Sequence, residues 1–362
     1  MKITAIETQA VSIGVKPELT IVSSLGTHRV SPYVIVTVRD DAGNVGFGEA
    51  TVMHLWSGET QDGAIAAINK VLAPVIIGRD PREVSAAAAA MDKALIDNPF
   101  AKAAIEMALL DLAGKSLGVP TVTLLGGARR SGAIPLKFSI GAFSPDGAAK
   151  VAQSMAAQGF QAVKVKVGID VKTDIERVVA IRSAMGESFP IGADANGGWN
   201  ERQTIEALPH LERLGVNVLE QPLPRGDFRA TARIRKRTSI PIMLDEGVFT
   251  AHHAIEAVRT EACDIISIYP GKNAGILRSM QIAQIADAAG LECVIGSNLE
   301  WDLGTAAMLH TASAIPNLST AVNHDIIGPV YHERSIAMEG IRYEDGCAVL
   351  PEGPGLGISL KP

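Results

Sequence analysis

Cysteine is scarce in this chain, with three in 362 residues. Cys263, Cys293 and Cys347 are odd in number and lack metal-type spacing. A disulfide framework or zinc module is therefore not expected, and buried free thiols in a reducing cytoplasm are. An excess of positive charge is also missing: 33 basic against 39 acidic side chains leave a net charge of −6. That balance argues against a nucleic-acid partner or an anionic membrane surface. No apolar run approaches the roughly 20 residues of a membrane span. The opening stretch Met1 to Glu7 places an acid where an export signal needs its apolar core, so a cytoplasmic location is expected. What remains is an ordinary globular composition, 47% hydrophobic and 20% charged, long enough for a barrel-sized domain and a smaller one.

The first third reads as strands and then helices. Residues 3–15 alternate apolar and polar, as a half-buried strand does. Two β-rich runs, Tyr33–Val38 and Val45–Ala50, flank the turn-forming stretch Asp40–Asn44 and give an antiparallel hairpin. Two polar stretches, Leu19–Arg29 and Met53–Glu59, read as long loops of the kind that serve as lids. From residue 60 to 118 the pattern is helical. Positions 101, 104, 105, 108, 109 and 112 share one helical face, and Gly118 and Pro120 stop that helix. This gives an α+β domain.

From about residue 133, strands and helices alternate. Strands are expected at Pro135–Ile140, Ala162–Val167, Ile191–Ala195, Val216–Glu220, Ile242–Asp245, Asp264–Tyr269 and Glu292–Gly296, with a weaker one at Ser319–Val322. Apolar β-branched runs bounded by Gly and Pro read as buried parallel strands, and eight of them with intervening helices predict a TIM-type barrel. After the eighth strand no closing helix is evident. Asp325–Leu360 is strand-and-turn material expected to return to the first domain.

Four of these runs end in charge. Lys164 and Lys166 end one, Asp194 the next, then Glu220, then Asp245. The intervals from Lys166 are 28, 26 and 25 residues, the length of one βα unit in a parallel barrel. The charges thus fall on successive strand ends, the rim where barrel enzymes assemble their sites. Lys164 and Lys166 stand at i and i+2 and point to the same side. Two close ammonium groups disfavour each other's charge, so one amine is expected to be partly neutral and able to act as a base. Three clustered carboxylates suit Mg²⁺, or Mn²⁺, which would neutralise them. A cation on one side and a lysine base on the other suit removal of a proton α to a carboxylate. Two other readings stay open: a Schiff-base aldolase using Lys164 or Lys166, which has no use for three acids in register, and a non-catalytic barrel.

The chain resembles the enolase superfamily, specifically its muconate lactonizing enzyme subgroup, over nearly its whole length. The resemblance rests on Val45-Gly46-Phe47-Gly48-Glu49, Ala103 to Asp111, Leu124-Leu125-Gly126-Gly127, Lys164-Val165-Lys166, Asp194-Ala195-Asn196, Leu219-Glu220-Gln221-Pro222, Asp245-Glu246 and Pro354-Gly355-Leu356-Gly357. It implies a modified (β/α)7β barrel, residues 126–325, under an α+β capping domain, residues 1–125 completed by the tail 326–362. It further implies Asp194, Glu220 and Asp245 as metal ligands, Lys166 as the base, Lys164 as its companion, a small-molecule carboxylate substrate and a homo-oligomer. His28, Arg29, Trp56, Asn196, Ser297 and Glu300 are the candidate substrate contacts, the first two suggesting a polar or anionic distal group.

One departure bears on the reaction. Where the family carries a second acid/base lysine at the end of strand six, this chain has Tyr269, with Lys272 three residues further on. A phenol with an ordinary pKa near 10 is a poor base at neutral pH. Elimination or cycloisomerisation through one base is therefore expected over racemisation or epimerisation with Tyr269 or Lys272 as the second acid/base.

Overall fold

A computed structural model describes residues 1–130 and 133–361. The chain opens with an antiparallel sheet of β1 (Ile3–Gly14), β4 (Val30–Asp40) and β5 (Val45–Thr51), ordered β1-β4-β5. Between β1 and β4 the stretch read as a loop forms a small hairpin, β2 (Ile21–Ser23) with β3 (Gly26–His28). Short reciprocal backbone bonds gave no hydrophobic alternation by which to recognise it. Helices α1 (Gln61–Ala67), α2 (Ala73–Ile76), α3 (Val84–Ala94), α4 (Pro99–Leu117) and α5 (Thr121–Leu124) follow.

The centre of this region is α4. The sequence pattern predicted one apolar face, but the helix is buried nearly all round from Phe100 to Gly114, because the sheet covers one side and the barrel the other. Two glycines of β5 let it approach: a Cβ on Gly46 would lie 2.1 Å from the Ala108 carbonyl oxygen, and one on Gly48 1.9 Å from that of Ala104. Any side chain there would push the helix off the sheet. Gly118 ends α4 in the left-handed conformation, φ +70°, which a residue without Cβ adopts readily.

The barrel begins with β6 (Ile134–Pro135) and β7 (Phe138–Ile140), then β8 (Val163–Lys166), β9 (Ile191–Asp194), β10 (Val216–Glu220), β11 (Ile242–Leu244), β12 (Ile265–Ile268) and β13 (Glu292–Ile295). Strands β7 to β13 form one parallel sheet in sequence order. Helices α6 (Pro145–Ala157), α7 (Val171–Met185), α8 (Glu201–Arg213), α9 (Phe228–Arg235), α10 (Ala251–Arg259), α11 (Ile276–Ala288) and α12 (Asp302–Ala314) alternate with them. The eighth strand predicted at Ser319–Val322 is not formed as such. Residues 317–325 instead bond to both edges of the curled sheet: Cys293 N donates to Asn317 O, Ser319 N to Cys293 O, Asp325 N to Ile295 O and His324 N to Pro135 O. The ring closes through this irregular segment, whose side chains then follow no two-residue alternation.

Helix α13 (Gly328–Tyr331) and the strands β14 (Tyr343–Glu344) and β15 (Cys347–Ala348) complete the chain, with β15 pairing to β6. Further on, Leu356 N donates to Asp111 of α4 (2.8 Å) and Thr121 N to the Gly355 carbonyl (2.7 Å). Among the described residues no helix is long and apolar enough to cross a membrane.

Buried carboxylates join the two parts at helix N-termini, where unpaired N–H groups need acceptors. Glu49 of β5 accepts from Trp301 N (2.7 Å) and Gly304 N (3.2 Å) at the start of α12. Glu106 of α4 accepts from Ile276 N and Leu277 N at the start of α11. Burial pushes Glu49 up to about 8 and Glu106 to about 7. Between an ordinary glutamate value near 4.3 and these folded values, the folded state keeps protons that the unfolded chain has lost. Their contribution to stability is whole below about pH 4 and falls as pH rises through 7–8. The melting temperature should therefore decline from pH 5 to 8, and less so in Glu49→Gln. A variant whose decline matched or exceeded that of the wild type would contradict this account.

Candidate active site

Register places the rim charges side by side. Lys166 of β8 pairs with Asp194 of β9, which pairs with Glu220 of β10, which pairs with Met243 of β11. Asp245 lies two residues past Met243 and so returns to the same side. Parallel strands in register aim such a row at one point, and here it is the floor of a cavity of about 100 Å³ bounded by Lys164, Lys166, Asp194 and Asp245. Glu220 sits directly behind this wall, fully buried.

The sequence reading had the two lysines weakening each other's charge. The structure gives each of them acidic partners instead. Lys164 Nζ lies 2.8 Å from Glu220, 3.1 Å from Asp325 and 3.4 Å from Asp194. Burial alone would strip its proton, but Asp325, Glu220 and Asp194 outweigh burial and hold its pKa well above the ordinary lysine value. Lys166 Nζ lies 2.6 Å from Asp194. Burial opposes the Asp194 charge, yet Lys166 and Lys164 keep its carboxyl below the usual range. Burial and then neighbouring Asp194 push Glu220 up to about 8.

These ion pairs bear on a metal. Among the described residues no three His, Cys, Asp or Glu side chains converge at metal-holding distances, because lysine amines occupy the facing carboxylate oxygens. The donor chemistry nevertheless suits a hard divalent cation. Glu220 Oε1 is buried without a hydrogen-bond partner, in a place where Asp194 and Asp245 both add negative charge. An orphaned buried carboxylate oxygen beside two further acids is what such a cation would satisfy.

The remaining predicted contacts divide. Trp56, Asn196, Ser297 and His28 line the cavity. Trp56 Nε1 and Asn196 Nδ2 both donate to Glu246 Oε1, at 3.1 and 2.7 Å. Ser297 Oγ donates to Glu300 (2.6 Å), which also accepts from Asn298 N. Glu300 is thus behind the wall rather than on it, with burial pushing its carboxyl to about 7. Arg29 was expected to reach a distal group, but it is exposed and forms no part of the cavity; β3 ends at His28 and the next side chain faces outward. His28 shares a 2.6 Å hydrogen bond with Ser31, and burial lowers it to about 4, so it presents no charge to an anion at neutral pH.

Both candidates for a second acid/base are withdrawn from the cavity. Tyr269 is fully buried, its hydroxyl unpartnered and its ring 5.7 Å from that of Trp56. Burial, then Asp245, raises its pKa well above 10. Lys272 folds back from its turn and is completely enclosed. Its amine donates to Asp245 Oδ1 (2.6 Å), Asp245 O (3.0 Å) and Ser267 O (2.6 Å), so all three protons are used.

Two charged residues of the site escaped the sequence reading. Asp325 closes the ring of charges: its Oδ2 meets Lys164, and Lys137 at 2.9 Å, and its Oδ1 accepts from Ser139. Lys137 is buried and also donates to Asn323 O. Both carried the signal used elsewhere, a charge within or just after an apolar run, but at the shortest and most irregular strands.

The Lys-Val-Lys row, the acid series and the two-part fold all have counterparts in known proteins. Residues 5–126 match the mandelate racemase / muconate lactonizing enzyme N-terminal domain family, and residues 147–362 match the enolase C-terminal domain-like family. The chain is 33% identical to the N-succinyl-L-Arg/Lys racemase of Bacillus cereus, across 100% of this chain and 96% of that protein. It is also 33% identical to muconate cycloisomerase 1 of Rhodococcus opacus, across 91% and 89%. Among solved structures, the dipeptide epimerase of Enterococcus faecalis, complexed with Mg and the dipeptide L-Leu-L-Tyr, superposes with a TM-score of 0.93 at 32% identity, covering 99% of this chain and 100% of that one. The chain is an enzyme of the enolase superfamily and belongs to its muconate lactonizing enzyme subgroup.

Proposed function

We propose that the protein removes the α-proton of a small carboxylate substrate, with Lys166 as the base and Mg²⁺ held by Asp194, Glu220 and Asp245. The observation that carries this reading is the row of Lys166, Asp194 and Glu220 in one register on adjacent strands, at the wall and back of a single cavity. A divalent cation there supplies the positive charge that a deprotonated carboxylate substrate requires. Lys166 is partly exposed on the cavity wall, with its amine 2.6 Å from Asp194, and so stands where a bound substrate's α-carbon can reach it. Lys166 then takes the proton, and the electron pair left on carbon delocalises into the substrate carboxylate as an enediolate. Lys164, held charged by its acids, stabilises that developing charge. Asn196, Ser297 and Trp56 position the substrate.

Elimination or cycloisomerisation follows in preference to racemisation, because Tyr269 and Lys272 stand back from the cavity and the opposite face of the substrate lacks a base. Lys272 has a different duty: its three hydrogen bonds hold Asp245 against the end of β12.

The metal should stabilise the fold by about 2.7 kcal/mol at a hundredfold excess over its dissociation constant. EDTA should lower the melting temperature of the wild type and leave that of Asp194→Asn/Glu220→Gln unchanged. An identical wild-type curve with and without chelator would remove the metal from the site. In D₂O, Lys166→Ala should abolish α-proton exchange in any carboxylate the enzyme turns over.

The two strand-six residues should separate in stability. Lys272→Met removes one partner of a buried ion pair and should cost about 3–5 kcal/mol. Tyr269→Phe deletes an unpartnered buried hydroxyl and should leave the melting temperature unchanged or higher. A large loss of both stability and turnover in Tyr269→Phe would show that the hydroxyl has a partner in the working enzyme.

A further inference from the structure

The cavity discriminates by charge on the side away from the lysines. Among the described residues, Lys164 and Lys166 are the cationic side chains on its wall, and both are already paired with acids. Apart from these lysines and the acids, the rest of the lining has no charge at neutral pH: Ile21 and Leu25 of the β2–β3 hairpin, Met53 and Leu55 of the loop after β5, and Leu299 and Ile327 from the barrel, interspersed with neutral polar groups such as Ser23, Thr27 and Asn298. The hairpin is held down on the rim, since Ser24 Oγ donates to the carbonyls of Ala195 (3.0 Å) and Asn196 (3.2 Å), and Ala142 N to Val22 O (2.7 Å). His28 adds no charge at neutral pH, and Arg29 faces solvent. The third acid on the wall, Asp325, repels a further anion.

Two consequences follow from ordinary electrostatics and volume. A second carboxylate would be desolvated among aliphatic and neutral polar side chains with no free cation to meet it, which disfavours binding. The space is also small: about 100 Å³, against the roughly 300–1,000 Å³ of pockets that take drug-sized ligands.

We infer that the substrate is a compact monocarboxylate whose remainder carries no negative charge. This rests on the metal-assisted proton abstraction proposed above and names its substrate class. Muconate and N-succinylated amino acids, in the names of the relatives above, carry two carboxylates, so the inference separates this chain from them.

Matched pairs test it. In D₂O with Mg²⁺, α-proton exchange or consumption is followed for lactate against malate, alanine against aspartate, and N-acetylalanine against N-succinylalanine. Exchange or consumption of at least one monocarboxylate, at least tenfold faster than its dicarboxylate partner, is expected. Leu25→Arg, at the partly buried hairpin turn lining the cavity, should narrow that ratio by placing a cation on the wall. A readout free of catalysis uses 2-hydroxyisobutyrate against 2-hydroxy-2-methylmalonate, neither of which has an α-proton: with Mg²⁺, the monoacid should raise the melting temperature more. Dicarboxylates that exchange equally or faster, or a larger shift with 2-hydroxy-2-methylmalonate, overturn the substrate class and leave proton abstraction standing. Exchange in neither set counts against the underlying reading, and the substrate class falls with it.

Discussion

The interior of this barrel must balance charges that it also excludes from water. Lys137, Lys164, Lys166 and Lys272 face Asp194, Glu220, Asp245, Glu246 and Asp325, and all but Lys166 are buried. A lone buried charge is unsupportable at a cost of several kcal/mol, whereas a network in which each charge meets its opposite persists. Asp325 meets Lys137 and Lys164, Glu220 meets Lys164, and Asp245 meets Lys272. The network is short of positive charge by one, and Glu220 and Glu246 each keep an oxygen without a partner. That deficit, more than the presence of any single acid, supports the proposal of a cation at the site.

The same constraint explains the irregular closure of the barrel. An eighth regular strand would have packed as the others do. The segment 317–325 instead bonds to β13 on one side and to Pro135 on the other, and carries Asp325 inward between Lys137 and Lys164. Seven strands provide a frame in register, and the irregular eighth segment delivers the charge that lets Lys164 remain an ammonium inside it.

Above the rim, the capping region is attached by charge as well as by apolar packing. Glu49 and Glu106 reach across to cap α12 and α11, and the β2–β3 hairpin bonds to the backbone after β9. Trp56 closes the side nearest Glu246, edge-to-face with Phe100 and tilted against Phe249 and Tyr269. The acids that line or back the cavity and those that hold the cover are separate sets. The cover therefore contributes shape and polarity to the cavity while the barrel contributes its charge.

Sequence alone determined the architecture and the row of rim charges. Strand periodicity and βα spacing placed seven of the eight barrel segments, and i, i+2 parity put Lys164 and Lys166 on one side with Asp194, Glu220 and Asp245 on successive strands. Those inferences are local, resting on a two-residue repeat and a fixed unit length. What depended on distant parts of the chain was decided only by the tertiary structure. Asp325 and Lys137 lie 188 residues apart and meet because the barrel closes. The electrostatic state of Lys164 reversed from the expected one because three acids surround it. Arg29 left the site and Glu300 withdrew behind it because one residue of register, or one layer of packing, separates a wall from what stands behind it. Lys272 turned inward to Asp245 rather than to substrate because a turn, unlike a strand, has no periodicity to say where its side chains go.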